Sequence, residues 1–308
     1  MVHAPTRAEA IEKMTRLCSQ DIVLKGPVTN LQFLNAVITS DAFVRGYTLT
    51  NFLDVSFEYQ SCGIDVINAG PYSTIQDFPA RSKVGHGVPK SGPMDTISSR
   101  VANLLVHNPV GTEVVEITLS GPELRFTSAA VVAVCGAEAA VTIGGEQKPM
   151  WSTLAVKAGQ TLRIGAVKGV GCRVYLAVRG GFPNIPIVMG SKSTTPSLKF
   201  GGCQGRTLRN GDFLQLDAKA AESVPDAVEY SLPPAMIPNM DVREIYVMQG
   251  PHDSQDIMTE KDRETLYGMD WKVDHNSSRS AVRLLGPAPQ WARTSGGEAG
   301  SHPSNYLE

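Results

Sequence analysis

Apolar residues first recur at helical spacing. Ile11, Met14, Leu17 and Cys18 follow Thr6-Arg7-Ala8-Glu9, a capping-box pattern that satisfies end amides reciprocally, so a helix is predicted over 6–19. A second begins near Thr29-Asn30-Leu31-Gln32, with Leu31, Leu34, Val37 and Ile38 on one face. Two short amphipathic helices bury little by themselves, so this opening segment needs a surface to pack on.

After Tyr59 the period changes to short β-rich runs punctuated by glycine. Strands are predicted at 66–68, 114–119, 129–134, 140–143, 153–156, 161–164, 172–178 and 212–216, with Gly144-Gly145, Ala158-Gly159 and Asn210-Gly211 as turns. Many short strands with close turns argue for a barrel or sandwich. One helix interrupts them, capped by Asp95, striped by Ile97, Val101, Leu104 and Leu105, and ended by Asn108-Pro109. Residues 218–241 lose periodicity around Pro225, Pro233, Pro234 and Pro238 and read as a linker. A second β unit is expected to start at Val242–Met248, carry a helix after Thr259 and continue through Ala281–Leu285.

Length and charge narrow the classes. A chain of 308 residues, 42% hydrophobic and 19% charged, suits a globular protein with two cores. A net charge of −2 without a lysine or arginine run gives no footprint for nucleic acid or anionic membrane. No apolar run approaches a membrane span and no signal-peptide order opens the chain, so a cytoplasmic setting is expected. Five scattered cysteines without a CxxC pair read as reduced thiols, and the histidines show no zinc spacing, so no metal is expected.

The chemistry-bearing stretch is GPYSTIQDFPARSKVGHGVPKSGPMD, from Gly70 to Asp95. Gln76, Asp77, Arg81, Lys83, His86, Lys90, Ser91 and Asp95 crowd it, and its glycines let backbone N–H groups approach a ligand. On residue types alone a solvated surface connection is an equal reading, and Asp95 is better placed as a helix cap than as an acid.

STIQDFPAR, GVPKSGPMD, EITLSGPELRF, YLAVRGGFP, GSKST, FGGCQGRTLRNGD and GPAPQWARTSGGEAGSHPSN together resemble the allophanate hydrolase subunit 2 (KipA-like) family, and within it the copy fused into fungal urea carboxylase and urea amidolyase. TRAEAIEKM, TNLQFL and TNFL are similar to the end of a biotin carboxylase domain, which precedes that region in urea carboxylases. The resemblance implies a mainly β (α+β) fold with a few helices: a biotin carboxylase remnant at 1–60, a cyclophilin-like β-barrel at 64–217, a linker at 218–241 and a partial second barrel at 242–308. It also implies a carboxyltransferase portion that moves a carboxyl group from biotin to urea, giving allophanate.

Carried over by motif, Asp77 and Lys90 are the candidate catalytic residues. Gln76, Ser91, Arg179, Lys192, Ser193, His302 and Asn305 are the candidate substrate contacts. Gln76 and Asp77 would orient the urea amide, Lys90 and Ser91 would face the carboxyl group, and Arg179 or Lys192 with Ser193 would donate to an anion. Biotin would ride on another domain or chain, because no ATP-grasp region and no Met-Lys-Met biotin acceptor occurs in this sequence. A KipI-like half and a biotin carrier are the implied partners, and the chain is not expected to act alone. Two alternatives stand beside this: a non-catalytic partner subunit of a KipI-like protein, or an enzyme for another amide or ureido substrate. Where the family reads close to Pro-Gly-Arg, this chain has Pro79-Ala80-Arg81, which would strain the loop if that glycine held a positive φ.

Overall fold

The computed structural model describes residues 1–308 except 19–21, 23–29, 56, 58–60, 83, 223–229, 243, 251, 252, 254, 256, 280, 291 and 293–308. Its contacts divide the chain into Met1–Asp241 and Val242–Glu308.

The first unit opens with helices α1 (Arg7–Arg16), α2 (Leu31–Thr39), α3 (Asp41–Arg45) and α4 (Phe52–Val55). Thr6 caps α1 by accepting the Glu9 N–H at 3.3 Å. Asn30 flanks α2 without a side-chain cap bond, and Thr29, the first residue of the segment expected to open this helix, lies outside the described residues.

The β body has β1 (Gly63–Asn68), β2 (Ser73–Gln76), then α5 (Thr96–Leu105), followed by β3 (Val114–Thr118), β4 (Glu123–Phe126), β5 (Ala130–Gly136), β6 (Ala139–Ile143), β7 (Glu146–Lys148), β8 (Thr153–Val156), β9 (Thr161–Val167), β10 (Arg173–Val178) and β11 (Phe213–Gln215), with α6 (Ala218–Glu222) after it. The strands pair antiparallel in two sheets, β11-β1-β4-β9-β6-β7 and β2-β3-β10-β5-β8, around a shared core. The fold is mainly β with a few helices, as expected. The chain turns from one sheet to the other between β3 and β4, where Leu119 takes φ 62 and donates to Cys172 O.

Burial explains the two strand patterns. AVVAVCG of β5 is buried throughout because Val132 and Val134 face the shared core, whereas Val131, Ala133 and Cys135 pack with Ala102, Leu105 and Val106 of the helical layer. AAVTI of β6 alternates because one face meets solvent. Each fully buried Val, Leu or Ile contributes about 1.5–3 kcal/mol.

Helix α5 is where predicted, capped by Asp95, whose Oδ1 accepts Ile97 and Ser98 N–H at 3.0 Å. Its buried face differs from the predicted stripe: Ile97 and Leu104 are exposed, while Ser98, Ser99, Ala102, Asn103 and Leu105 turn inward. Those inward polar groups are bonded, Asn103 Nδ2 to Thr112 O at 2.7 Å for example, so the burial costs little.

Within the first unit three strands were not expected from the sequence: β2, β4 and β7. Conversely, the strand expected at Val242–Met248 is not formed among the described residues. Ile245, Tyr246, Val247 and Met248 are exposed and pair with no ladder partner. The second unit instead holds α7 (Glu260–Gly268), with a full Thr259/Asp262 capping box, and a ribbon of β12 (Lys272–Val273) with β13 (Leu284–Leu285). No described helix is long and apolar enough to cross a membrane.

Candidate functional site

The loop from β2 to α5 meets a second loop, from Gly180 to Gly202, at the end of the five-stranded sheet where Gln76 pairs with Val114. Asp77 joins them. Its Oδ1 accepts from Ser191 Oγ, from Ser193 Oγ and, at 3.0 Å, from Ser193 N–H, and its Oδ2 accepts from Lys192 N–H at 2.7 Å. The Asp77 N–H in turn donates to Ser193 Oγ at 3.0 Å. Four donors on one carboxylate leave it little capacity for a ligand.

Gln76 is wholly buried and equally committed. Its Oε1 accepts Gly92 N–H at 3.0 Å, and its Nε2 donates to Thr74 Oγ1 and Thr194 O. The Lys192 ammonium donates to Glu113 Oε1 at 2.7 Å and to Phe182 O at 3.1 Å. Glu113 also receives the Phe182 N–H, so the RGGFP turn is tied to the same cluster.

Arg81 is the central side chain, 1% exposed. Its Nε donates to Val188 O at 2.9 Å, Nη1 to Thr195 Oγ1 at 2.8 Å, and Nη2 to Ser191 O and Ser193 O at 3.1 Å. Its backbone exchanges two bonds with Ser91: Arg81 N–H to Ser91 Oγ and Ser91 N–H to Arg81 O, each 3.2 Å. Burial lowers the guanidinium pKa and the nearby Asp77 charge works against that; an arginine so placed stays a cation. Close approach here demands glycine at 201, where a Cβ would lie 1.9 Å from Ser193 O.

Beneath α5, Glu116 Oε2 accepts Met94 N–H at 2.7 Å and Tyr175 Oη at 3.0 Å, and Tyr175 Oη accepts Asp95 N–H. Burial first, and then the Glu116 charge, push the Tyr175 hydroxyl pKa far up, so it is a fixed neutral donor.

Of the expected residues, the structure thus brings together Gln76, Asp77, Lys192 and Ser193, with Ser91 joined through Arg81. Lys90 is exposed beside Ser91 and has no partner among the described residues. Ser91 Oγ accepts from Arg81, and its own O–H has no acceptor among the described residues. Arg179 stands elsewhere, its Nε donating to Val106 O at 3.2 Å near the end of α5. His302 and Asn305 lie outside the described residues. Ala80 is not left-handed, so the expected strain is absent; instead Gly92, at φ 103, makes room for its methyl.

The sequence reading left out Arg81, Glu113, Ser191, Thr194 and Thr195 as site members. Glu113 and Glu116 carried a usable signal, since carboxylates bordering and inside the apolar run Val114–Thr118 must find buried partners.

A cavity of about 540 Å³ lies at the opposite end of the sheet, by Gly136, Met150, Trp151, Lys168 and Met240, and contains none of the expected residues. No cluster of three or more metal-ligating side chains occurs among the described residues.

Residues 86–308 match the family described as carboxyltransferase domain, subdomain A and B. A putative urea carboxylase of Emericella nidulans is 48% identical over 309 residues, covering 100% of this chain and 24% of that protein. A 5-oxoprolinase subunit of Escherichia coli is 30% identical over 225 residues, 72% of this chain and 68% of that one. The crystal structure of Kluyveromyces lactis urea carboxylase superposes with a TM-score of 0.89 at 38% identity, over 98% of this chain and 27% of that one. The chain therefore spans about a quarter of these two urea carboxylases.

Proposed function

This chain belongs to the carboxyltransferase domain family, subdomains A and B, and from that premise we propose that it builds part of a site where a carboxyl group passes to urea, giving allophanate. Extent of likeness carries the reading. The protein of E. nidulans named as a putative urea carboxylase matches the whole chain, including residues 1–85 ahead of the family match, whereas the 5-oxoprolinase subunit of E. coli matches 72% of it. The same extent supports residues 1–60 as the end of a biotin carboxylase domain, 64–217 as the first body of the transferase, 218–241 as a linker and 242–308 as part of a second body.

Within this site Lys90 and Ser91 are the groups with donors to spare. The Lys90 ammonium and the Ser91 hydroxyl would hold the oxygens of the carboxyl group in transit, and a charge-assisted bond from lysine offsets its negative charge. Asp77, Gln76, Lys192 and Ser193 are positioning residues in this reading, because their polar atoms already cross-link the two loops. They form no cradle for the ureido ring of biotin. Biotin, which in this reading supplies the transferable carboxyl, would therefore be held by another segment or chain.

The test replaces the matching segment of the E. nidulans protein with this chain and follows allophanate made from urea, ATP and bicarbonate. Formation of allophanate, reduced about tenfold or more by Lys90→Ala, is the expected result. A folded chimera that consumes ATP and makes no allophanate sinks the reading. The chain alone is expected to make none.

The likeness to a 5-oxoprolinase subunit favours a second reading, a partner protein without chemistry of its own. A stable complex that forms with the rest of the transferase, but transfers equally well with Lys90→Ala, would support it.

A further inference from the structure

The cavity of about 540 Å³ by Met150 and Trp151 is lined by the first unit alone and takes no part in the Asp77–Arg81 cluster. Its volume is that of an ordinary small-molecule site. Met150, Trp151, Val170, Ile237 and Met240 supply its apolar lining. Part of that lining is fixed before any ligand arrives. Trp151 donates its backbone N–H to Val134 O and accepts the Leu232 N–H, each at 2.8 Å, and the Met150 thioether accepts the Ala139 N–H at 3.3 Å.

Trp151 is 5% exposed, and its indole N–H has no acceptor among the described residues. A tryptophan so buried ordinarily finds one. Here the open donor belongs to a side chain that lines an open space, which points to an acceptor on a molecule that the cavity admits.

The charged side chains narrow what that molecule is. Lys148 is held by Glu146 at 2.8 Å, and Asp241 has a partner of its own. Lys168 and Glu138 are left. They lie just beyond the Ala139–Val167 pair of β6 and β9, with Lys168 N–H donating to Glu138 O at 2.8 Å. Neither side chain is paired with the other or with any described residue. An ion pair between two exposed side chains would contribute little, so both charges stay available at small cost.

Adjacent opposite charges on an apolar cavity match a small zwitterion with an apolar body. We propose that this cavity binds a free α-amino acid with a large apolar side chain. Its ammonium meets Glu138, its side chain lies against Met150, Ile237 and Met240, and its carboxylate, which offers its only acceptors, takes Lys168 and the Trp151 N–H. The inference is independent of the transfer reaction.

The experiment is calorimetric titration of the full chain with L-phenylalanine as the probe. Phenylacetate, which lacks the ammonium, and phenethylamine, which lacks the carboxylate, are the comparators. Phenylalanine should bind about tenfold more tightly than either. Lys168→Met and Glu138→Gln alter exposed side chains, so both variants should keep the melting temperature. Each should weaken phenylalanine about tenfold, while Lys168→Met leaves phenethylamine binding unchanged and Glu138→Gln leaves phenylacetate binding unchanged. In a nitrogen-edited NMR spectrum, the indole resonance that Trp151→Phe removes should move when phenylalanine is added. Absence of binding, equal binding of either comparator, unchanged phenylalanine affinity in either variant, or a stationary Trp151 resonance overturns the proposal.

Discussion

The Arg81 guanidinium carbon lies 4.8 Å from the centre of the Phe200 ring, so a buried cation stacks on an aromatic face while its edge is bonded to three carbonyls and a hydroxyl. Lysine keeps the charge but not the planar fork. Arg81→Lys should cost about 2–4 kcal/mol and Arg81→Ala about 3–5 kcal/mol in denaturant unfolding. A loss under about 1 kcal/mol for both would mean that water replaces the fork.

Asp77 accepts from four donors, and an asparagine would turn an amide nitrogen toward at least one of them. Asp77→Asn is expected to lower stability by about 2–3 kcal/mol, more than Ser193→Ala at about 1–2 kcal/mol. Hydrogen exchange should quicken at Lys192 and Ser193, whose N–H groups bind the carboxylate. Protection unchanged at those amides would show that the carboxylate does not hold the loop.

Gly92 and Ala80 share one small space. A Cβ at Gly92 would lie 2.3 Å from Ala80 Cβ, and φ 103 adds backbone strain. Gly92→Ala should destabilise by about 2 kcal/mol or more, with part of the loss recovered when Ala80→Gly is added. Strict additivity in the double-mutant cycle would refute the shared space.

The Arg206–Asp212 pair predicts a pH response. Burial pushes the Asp212 carboxyl up, but bonds from both Arg206 Nη atoms at 2.7 Å and from Arg209 N–H at 2.8 Å outweigh it, and its pKa falls below the ordinary carboxylate value. A depressed folded-state pKa gives stability that is present above the unfolded value, near pH ~3.9, and lost as pH falls through the folded value. Asp212→Asn should therefore flatten the loss of stability below about pH 4 and lower stability at neutral pH. An unaltered acid limb would show that the pair carries no such linkage.

Most of the fold was legible because burial leaves period marks. The run over 129–134, apolar at every position, announced a strand, which the structure covers on both faces, and Asp95 announced its helix. Glu123–Phe126 and Glu146–Lys148 were not legible, being short and polar on one face, with their strand geometry set by β1, β6 and β9. The strand expected at Val242–Met248 shows the reverse: β-propensity without a ladder partner does not make a strand.

The candidate cluster was legible in the sequence by region, on the two loops that carry its motifs. Gln76, Asp77, Lys192 and Ser193 do come together, but their polarity is turned on one another. Only a three-dimensional count of donors and acceptors distinguishes a clamp from a catalyst. Arg81 looked like one more loop charge, since nothing local says that its partners stand more than a hundred positions away.

Strand β1 pairs with β11, so that Gly63 lies opposite Gln215. The chain thus enters and leaves this β body along neighbouring strands, and the body hangs from its polypeptide like a bead with both holes on one side. Such a piece can be spliced into a longer protein at a single point without rethreading any strand. A module so built can sit within proteins of very different length without a change in its own strand order.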